Sequence, residues 1–379
     1  MDFKLSEEQT MLRETAARLV RDTYAFEERE HFRRTAEGFS TEFWQQLGAL
    51  GLTAVPFEET YGGFGGGGVE TSLIATELGR GLCLEPYLHS VILAGGLLGQ
   101  LGTPQQCQEL LPGVAAGTLQ LAAALEEPQS HYQLNDVQTR AEPVDGGWRL
   151  TGRKSAVFGG QSAGLILVSA RTSGPGADED GISLFLIDPS GLGVGRETYP
   201  TADGRKACDL YLEQAFVPAS ALLGEVGKAL PALRYQQGRA IAAQCAEAVG
   251  SMEAACELTL DYLKTRKQFG VPIGSFQALQ HRMVDMRIEL DQATSMALLA
   301  ACVADEPESA ERSRVLAAAK FIVSRAGRFI ADQGIQLHGG IGLTWEYVLS
   351  HHAKHLLMLA RQFGDDDHHL HVFSELMEA

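Results

Sequence analysis

Apolar positions along the chain change their period twice. Up to about residue 118 they recur at helical spacing, as in Met11, Leu12, Ala16 and Leu19 and again in Phe43, Leu47 and Leu50. Ser6 with Gln9 three positions on predicts a capping box at the start of the first helix. From about 119 the runs shorten, and 119–125, 137–141, 148–151, 165–170, 182–187 and 208–212 read as strands. Asp145-Gly146-Gly147, Ser173-Gly174-Pro175-Gly176 and Asp188-Pro189 supply turns between them. Helical spacing returns over 229–267, 275–304, 310–336 and 344–363, and long helices with short links predict a four-helix bundle. The pattern as a whole predicts an α+β fold in three parts. These are an N-terminal helical domain (1–118), a small antiparallel β-barrel or sandwich (119–225) and a C-terminal helical bundle (226–379). No internal repeat or low-complexity segment interrupts it, and 173–180 is the segment expected to be most mobile.

Composition narrows the class. A chain of 379 residues with 45% hydrophobic and 21% charged residues can bury a large core and has ordinary globular usage. A net charge of −17 argues against nucleic acid and anionic membranes as partners. It leaves room for an anionic small molecule in a locally basic pocket. The six cysteines are scattered without a Cys-x-x-Cys, which predicts reduced, mostly buried thiols in a cytoplasmic protein. The opening MDFKLSEEQT lacks the pattern of a signal peptide, and no apolar run reaches about 18 residues, the length a membrane span needs.

Candidate chemistry gathers in a few places. In TRKQFGVPIGSFQALQHRMVDM (265–286) a helix breaks at Phe269-Gly270-Val271-Pro272-Ile273-Gly274, and Ser275 is placed to cap the next one. Arg266, Gln268 and Gln277 bring a guanidinium and two amides to that corner, groups suited to a diphosphate and the edge of a heterocycle. The competing reading is a solvated polar elbow. The glycine-rich stretch 61–68 precedes a helix, but no strand precedes it, so a structural or substrate-edge loop is favoured over a phosphate cradle. Gln244, Glu247 and Ser251 form a polar stripe on an Ala-rich helix, either facing water or carrying a functional carboxylate. The run Asp365-Asp366-Asp367-His368-His369-Leu370-His371 has metal-ligating residue types. Neighbours on one helical turn point apart, however, so a solvated charge run without metal is expected, and His281, His351 and His352 have the same bland reading.

The corner at 265–277 and the stretch QLHGGIGLTWEY (336–347) together resemble the acyl-CoA dehydrogenase family, flavoenzymes that oxidise acyl-CoA thioesters. The likeness covers nearly the whole chain. LKTRKQFG (263–270) and FGDDDHH (363–369) are most similar to the small subunit of pimeloyl-CoA dehydrogenase and related heteromeric bacterial enzymes. The resemblance implies FAD as cofactor. Arg266, Gln268, Phe269, Phe276 and Gln277 would wrap the FAD diphosphate and adenine of a neighbouring subunit, while Gln336, Gly339 and Gly340 close over the same FAD. Tyr235 and Arg239 match positions lining the CoA–acyl channel. It also implies an acyl-CoA substrate, an electron-transfer flavoprotein as partner, and a homo- or hetero-oligomer, dimer or tetramer.

Several positions depart from the family pattern. The Thr-Glu-Pro at the end of the first strand is Glu126-Glu127-Pro128 here, the following Gly-Ser-Asp is absent, and the Trp expected in 154–160 is missing. The family's catalytic base is a glutamate in one of two places. Here Gly364 fills the first, and Gly238 or Ala240 the second. The remaining base candidates are Glu247, Asp365 and Asp366, or a residue from another subunit. Two further readings stay open: a non-catalytic subunit that completes a partner's FAD site, and a flavin oxidase or monooxygenase on the same fold.

Overall fold

The computed structural model describes residues 4–378, and the chain forms two compact units, passing from one to the other after residues 31, 67, 83 and 240. In chain order the helices are α1 (Glu7–Thr23), α2 (Phe26–Phe32), α3 (Thr41–Ala49), α4 (Gly68–Arg80), α5 (Gly96–Leu101), α6 (Pro104–Ala115), α7 (Leu230–Thr265), α8 (Gln277–Val303), α9 (Ala310–His338), α10 (Val348–Leu359) and α11 (Asp366–Glu378).

One unit gathers the chain up to residue 31, 68–83 and everything from 241 on. The capping box expected at α1 is present: the Ser6 hydroxyl accepts from Gln9 N–H, and the Gln9 side chain accepts from Ser6 N–H. α9 is the central helix and packs against α8, α10 and α11. α4 crosses α7 backbone to backbone. A Cβ on Gly79 would lie 1.9 Å from the Glu247 carbonyl oxygen, and one on Gly250 would lie 1.8 Å from that of Thr76. Only glycine permits so close an approach, and it fixes which way the Glu247 segment of α7 faces. The first amide of α4, Gly68 N–H, donates to the Asp305 carboxylate at 2.5 Å, so the chain itself supplies the anion at this helix start. In the other unit the amides of Gly63, Gly65 and Gly66 are spent on the carbonyls of Glu58, Phe57 and Val55. The glycine-rich stretch is therefore an internally satisfied loop, as the sequence reading favoured. α11 was not among the expected helices, because its first turn reads as a charge run.

The other unit holds 32–67 and 84–240. A wide helical segment, Tyr87–Gly95, is buried at every residue. The sheet comprises β1 (Leu121–Ala124), β2 (Arg140–Val144), β3 (Gly147–Phe158), β4 (Leu165–Arg171), β5 (Ile182–Ile187), β6 (Val194–Pro200), β7 (Lys206–Pro218) and β8 (Leu222–Leu223). Its order is β6-β7-β3-β2-β4-β5-β8, with β1 also on β4. Most pairs are antiparallel, but β1 and β2 both run parallel to β4. β6 escaped the sequence reading because most of its residues are exposed and no alternation marks them.

Two features of this unit correct or extend expectation. The segment 173–180, exposed at most of its residues, is tied down through its carbonyls. Arg171, almost fully buried, donates to the carbonyls of Ser173, Gly176, Asp178 and Asp180 and to those of Asn135 and Val137. Beneath β1 and β3, Lys154 Nζ donates to Glu127 Oε1 at 2.7 Å and to Ser169 Oγ at 3.0 Å. Burial alone would raise the Glu127 carboxyl, but Lys154, Gln129 and Thr139 outweigh it and hold it down to about 2.

Candidate active site

The corner after α7 is a tight hairpin. Lys267–Gln268 pairs antiparallel with Val271–Pro272, and the two residues between them, Phe269 (φ 55°) and Gly270 (φ 82°), are both left-handed. Phe269 is 92% exposed and meets Phe276 edge-on at 6.1 Å. A large apolar ring displayed on a left-handed backbone is costly for a free surface. Arg266, Gln268 and Gln277 are exposed beside it. The Gln268 amide turns back on the Lys267 carbonyl at 2.8 Å. Neither the Arg266 guanidinium nor the Gln277 amide has a hydrogen-bond partner among the described residues. Ser275 does not cap α8. Its hydroxyl donates back to the Pro272 carbonyl at 2.7 Å, because Ser275 lies inside a 3-10 turn, and α8 starts from Phe276 without a side-chain cap.

The second stretch is tied to the first by a residue the sequence reading passed over. His338, the last residue of α9, stacks on Tyr262 of α7 at 4.4 Å. Its Nδ1 lies 2.9 Å from the Gly334 carbonyl and its Nε2 3.1 Å from the Tyr347 hydroxyl. Burial lowers its pKa while hydrogen bonds to backbone oppose this, so Nδ1–H donates to the carbonyl and Nε2 accepts from the tyrosine. Beyond it Gln336, Gly339 and Gly340 are exposed, Gly339 has φ 65°, and a Cβ at either glycine would meet nothing within 4 Å. The space over this turn is open to a ligand or neighbour.

The stripe on α7 does not face water. Gln244, Glu247 and Ser251 are 1%, 8% and 0% exposed. Lys320 of α9 donates to Gln244 Oε1 and to the Leu359 carbonyl, both at 2.5 Å, and the Gln244 amide reaches Gln362 Oε1 at 3.3 Å. Burial pulls Lys320 down to about 8, with Cys245, Glu247, Asp365 and Asp366 opposing. Glu247 Oε1 lies 3.1 Å from His355 Nε2, and Ser251 Oγ lies 2.9 Å from His352 Nδ1. Each rung thus meets a partner from α9 or α10. Nor are the α10 histidines a solvated surface: His351, His352 and His355 are all buried, and His351 Nδ1 sits 3.5 Å from Arg29.

The turn after α10 is unusual. Phe363 (φ 58°) and Gly364 (φ 103°) are consecutive left-handed residues. His369 Nε2 donates to the Phe363 carbonyl at 2.8 Å, and burial drives the ring's pKa down to about 3. Asp365 is half-buried and accepts from His368 N–H at 3.0 Å, the capping role at the start of α11. Asp366 pairs with Arg328 at 3.3 Å. The expected solvated run is therefore partly structural. Among the described residues no group of three or more His, Cys, Asp or Glu could hold a metal ion. In the other unit, Tyr235 and Arg239 are both half-buried on the first turns of α7, and Gly238 and Ala240 beside them are buried.

Models of the acyl-CoA dehydrogenase N-terminal, middle and C-terminal domains match residues 6–118, 122–215 and 235–376. A probable acyl-CoA dehydrogenase of Bacillus subtilis, YngJ, is 33% identical over 358 residues, 92% of each chain. The chain belongs to the acyl-CoA dehydrogenase family. Among solved structures of this fold, butyryl-CoA dehydrogenase from Megasphaera elsdenii superposes with a TM-score of 0.92 at 25% identity over the full length of both chains. The ChsE4–ChsE5 complex from Mycobacterium tuberculosis gives 0.89 at 25% identity, covering 100% of this chain and 99% of that one.

Acyl-CoA dehydrogenases are flavoprotein oxidoreductases, and the residues at the α7–α8 corner fit such a cofactor. The Arg266 guanidinium and the Gln277 amide, without partners among the described residues, stand near glycines whose side-chain space is open. Gly364, the position that the resemblance assigns to the base, has no room for a side chain. A Cβ there would lie 2.5 Å from His368 Cδ2 and 2.6 Å from His369 Nε2. No helix of the described residues is long and apolar enough to cross a membrane.

Proposed function

We propose that this chain acts in the FAD-dependent α,β-dehydrogenation of an acyl-CoA thioester and passes electrons to an electron-transfer flavoprotein. The observation carrying this reading is the outward-facing corner: Arg266, Phe269 and Gln277 exposed together on a rigid left-handed hairpin, joined through the Tyr262–His338 stack to Gln336–Gly340. In this reading Arg266 neutralises the diphosphate, Gln268, Gln277 and Gln336 bind the polar edges of the cofactor, and Phe269 and Phe276 pack against it. Gly339 and Gly340 let the backbone close over it. FAD, when bound, supplies the hydride acceptor. Tyr235 and Arg239 orient the CoA ester, and Arg239 offers a fixed positive charge to an anionic ligand that the chain's net −17 would otherwise repel.

Because the corner faces outward, the FAD it wraps belongs to a neighbouring subunit, and the working form is an oligomer. Exposed apolar residues in the same unit, including Val284 and Ile288 on α8 and Leu343, support this. The closed position at Gly364 favours a second reading, in which this chain completes the FAD site of an unlike catalytic partner. The ChsE4–ChsE5 relative is itself a complex of two proteins.

The test is Arg266→Ala. A charge-assisted contact to phosphate contributes about 1.5–3 kcal/mol, so the FAD dissociation constant should rise at least tenfold. Flavin content unchanged after extensive dialysis would count against the assignment.

A further inference from the structure

If the glutamate positions are empty, something else must take the α-proton, and the turn after α10 offers a specific group. A side chain built on Gly364 would run into two imidazoles, His368 and His369, so these rings occupy the direction that a residue at 364 would take. The two are not equivalent. His369 is 4% exposed, its Nε2–H is committed to the Phe363 carbonyl, and its pKa is pushed too low for a useful base. His368 is half-buried, and its ring stands edge-on to His369 at 5.1 Å. Its backbone amide is fixed by the Asp365 carboxylate, which sets where the ring begins.

The carboxylates fit the role less well: Glu247 is buried against His355, Asp365 caps α11 and Asp366 pairs with Arg328. We propose that His368 is the general base for the acyl-CoA α-proton, its imidazole standing in for the glutamate that position 364 has no room to carry. The inference rests on the dehydrogenase reading above. The step balances with FAD as oxidant. The Cα–H bond breaks and its proton goes to the His368 imidazole, the Cβ–H leaves as hydride to the oxidised flavin, and the Cα=Cβ bond forms. A base must be neutral at rest. Burial lowers the His368 pKa, with His371 acting the same way and Asp365 and Glu375 opposing. α9, which packs on α11, contributes Lys320 near His369 and Arg328 on Asp366.

The experiment compares the parent holoprotein, supplied with its partner subunit if one is needed, with His368→Gln and His368→Ala. His368→Gln should lose about 10²–10⁴ in kcat, with FAD content and acyl-CoA binding within twofold of the parent. Imidazole should restore part of the rate to His368→Ala. The acid limb of the parent's kcat profile should lie below the ordinary histidine value of about 6.5 and vanish in the Gln variant. Independently of turnover, the ¹³C-histidine resonance absent from His368→Gln should shift when the parent binds an unreactive 3-thiaacyl-CoA. A His368→Gln rate within tenfold of the parent, or an unmoved resonance with the analogue bound, overturns the proposal and leaves the dehydrogenase reading standing. A parent that neither binds the analogue nor shows acyl-CoA-dependent flavin reduction overturns both.

Discussion

Restoring a glutamate at position 364 is the obvious way to revive the family's base, and the structure says it will fail. Gly364 has φ 103°, a conformation that costs any other residue about 1–3 kcal/mol. The new Cβ would also lie 2.6 Å from His369 Nε2, which donates to the Phe363 carbonyl. His369 is walled in and cannot yield cheaply, so that buried hydrogen bond is lost at a further cost of about 1–3 kcal/mol. The two together destabilise Gly364→Glu by about 2–6 kcal/mol. With an unfolding entropy of about 2.1 cal/mol/K per residue, a chain this long should lose roughly 3–8 °C in Tm. Gly364→Ala should lose nearly as much, because the penalty sits at the Cβ. Thermal melts of both variants beside the parent measure it, and turnover assays should find no gain for the glutamate. A Gly364→Glu protein that melts with the parent and dehydrogenates acyl-CoA faster would show the position to be open.

Two further outcomes follow from the buried polar groups and the exposed apolar ones. His352 and His369 are both held neutral, by burial first and by nearby positive groups, Arg29, Arg80 and the other α10 histidines for His352 and Lys320 for His369. Their folded pKa values lie below the unfolded value of about 6.5, so stability is lost as pH falls through that value; between pH 7 and 5 His369, at about 3 when folded, should cost about 2 kcal/mol, His352 adds a loss of the same sign, and a flat Tm across this range would contradict the assignment. In sedimentation the FAD-loaded protein should be a dimer or larger, because Phe269, Val284, Ile288 and Leu343 are exposed on one unit; a monomer retaining full FAD would defeat that.

What could be read from the sequence was what periodicity and local chemistry encode. The α1 capping box depends on two residues three apart, and the corner at 265–277 on glycine and proline at a helix break. Both are local and both were legible. The stripe Gln244–Glu247–Ser251 was visible as a face but not as a buried one. What covers it, Lys320, His352 and His355, lies more than 70 positions away in sequence. For the same reason the α10 histidines looked bland. Ser275 and Asp365 show the limit of cap rules: each residue type can cap, but Ser275 closes a 3-10 turn behind it while Asp365 starts a helix hidden in a charge run. The carbonyls of 173–180 converge on a buried guanidinium, Arg171, and no loop composition announces that.

The proposed function requires that acyl-CoA oxidation and flavin reduction be coupled in an assembly containing this chain. The direct measurement is anaerobic titration of the FAD-loaded protein, alone and with its partner subunit, with straight-chain acyl-CoA esters of increasing length while following the flavin absorbance. Such coupling should give acyl-CoA-dependent bleaching, an α,β-unsaturated thioester formed in equal amount, and re-oxidation by an electron-transfer flavoprotein. Fully occupied FAD that stays oxidised in every assembly, with the esters bound, would contradict it.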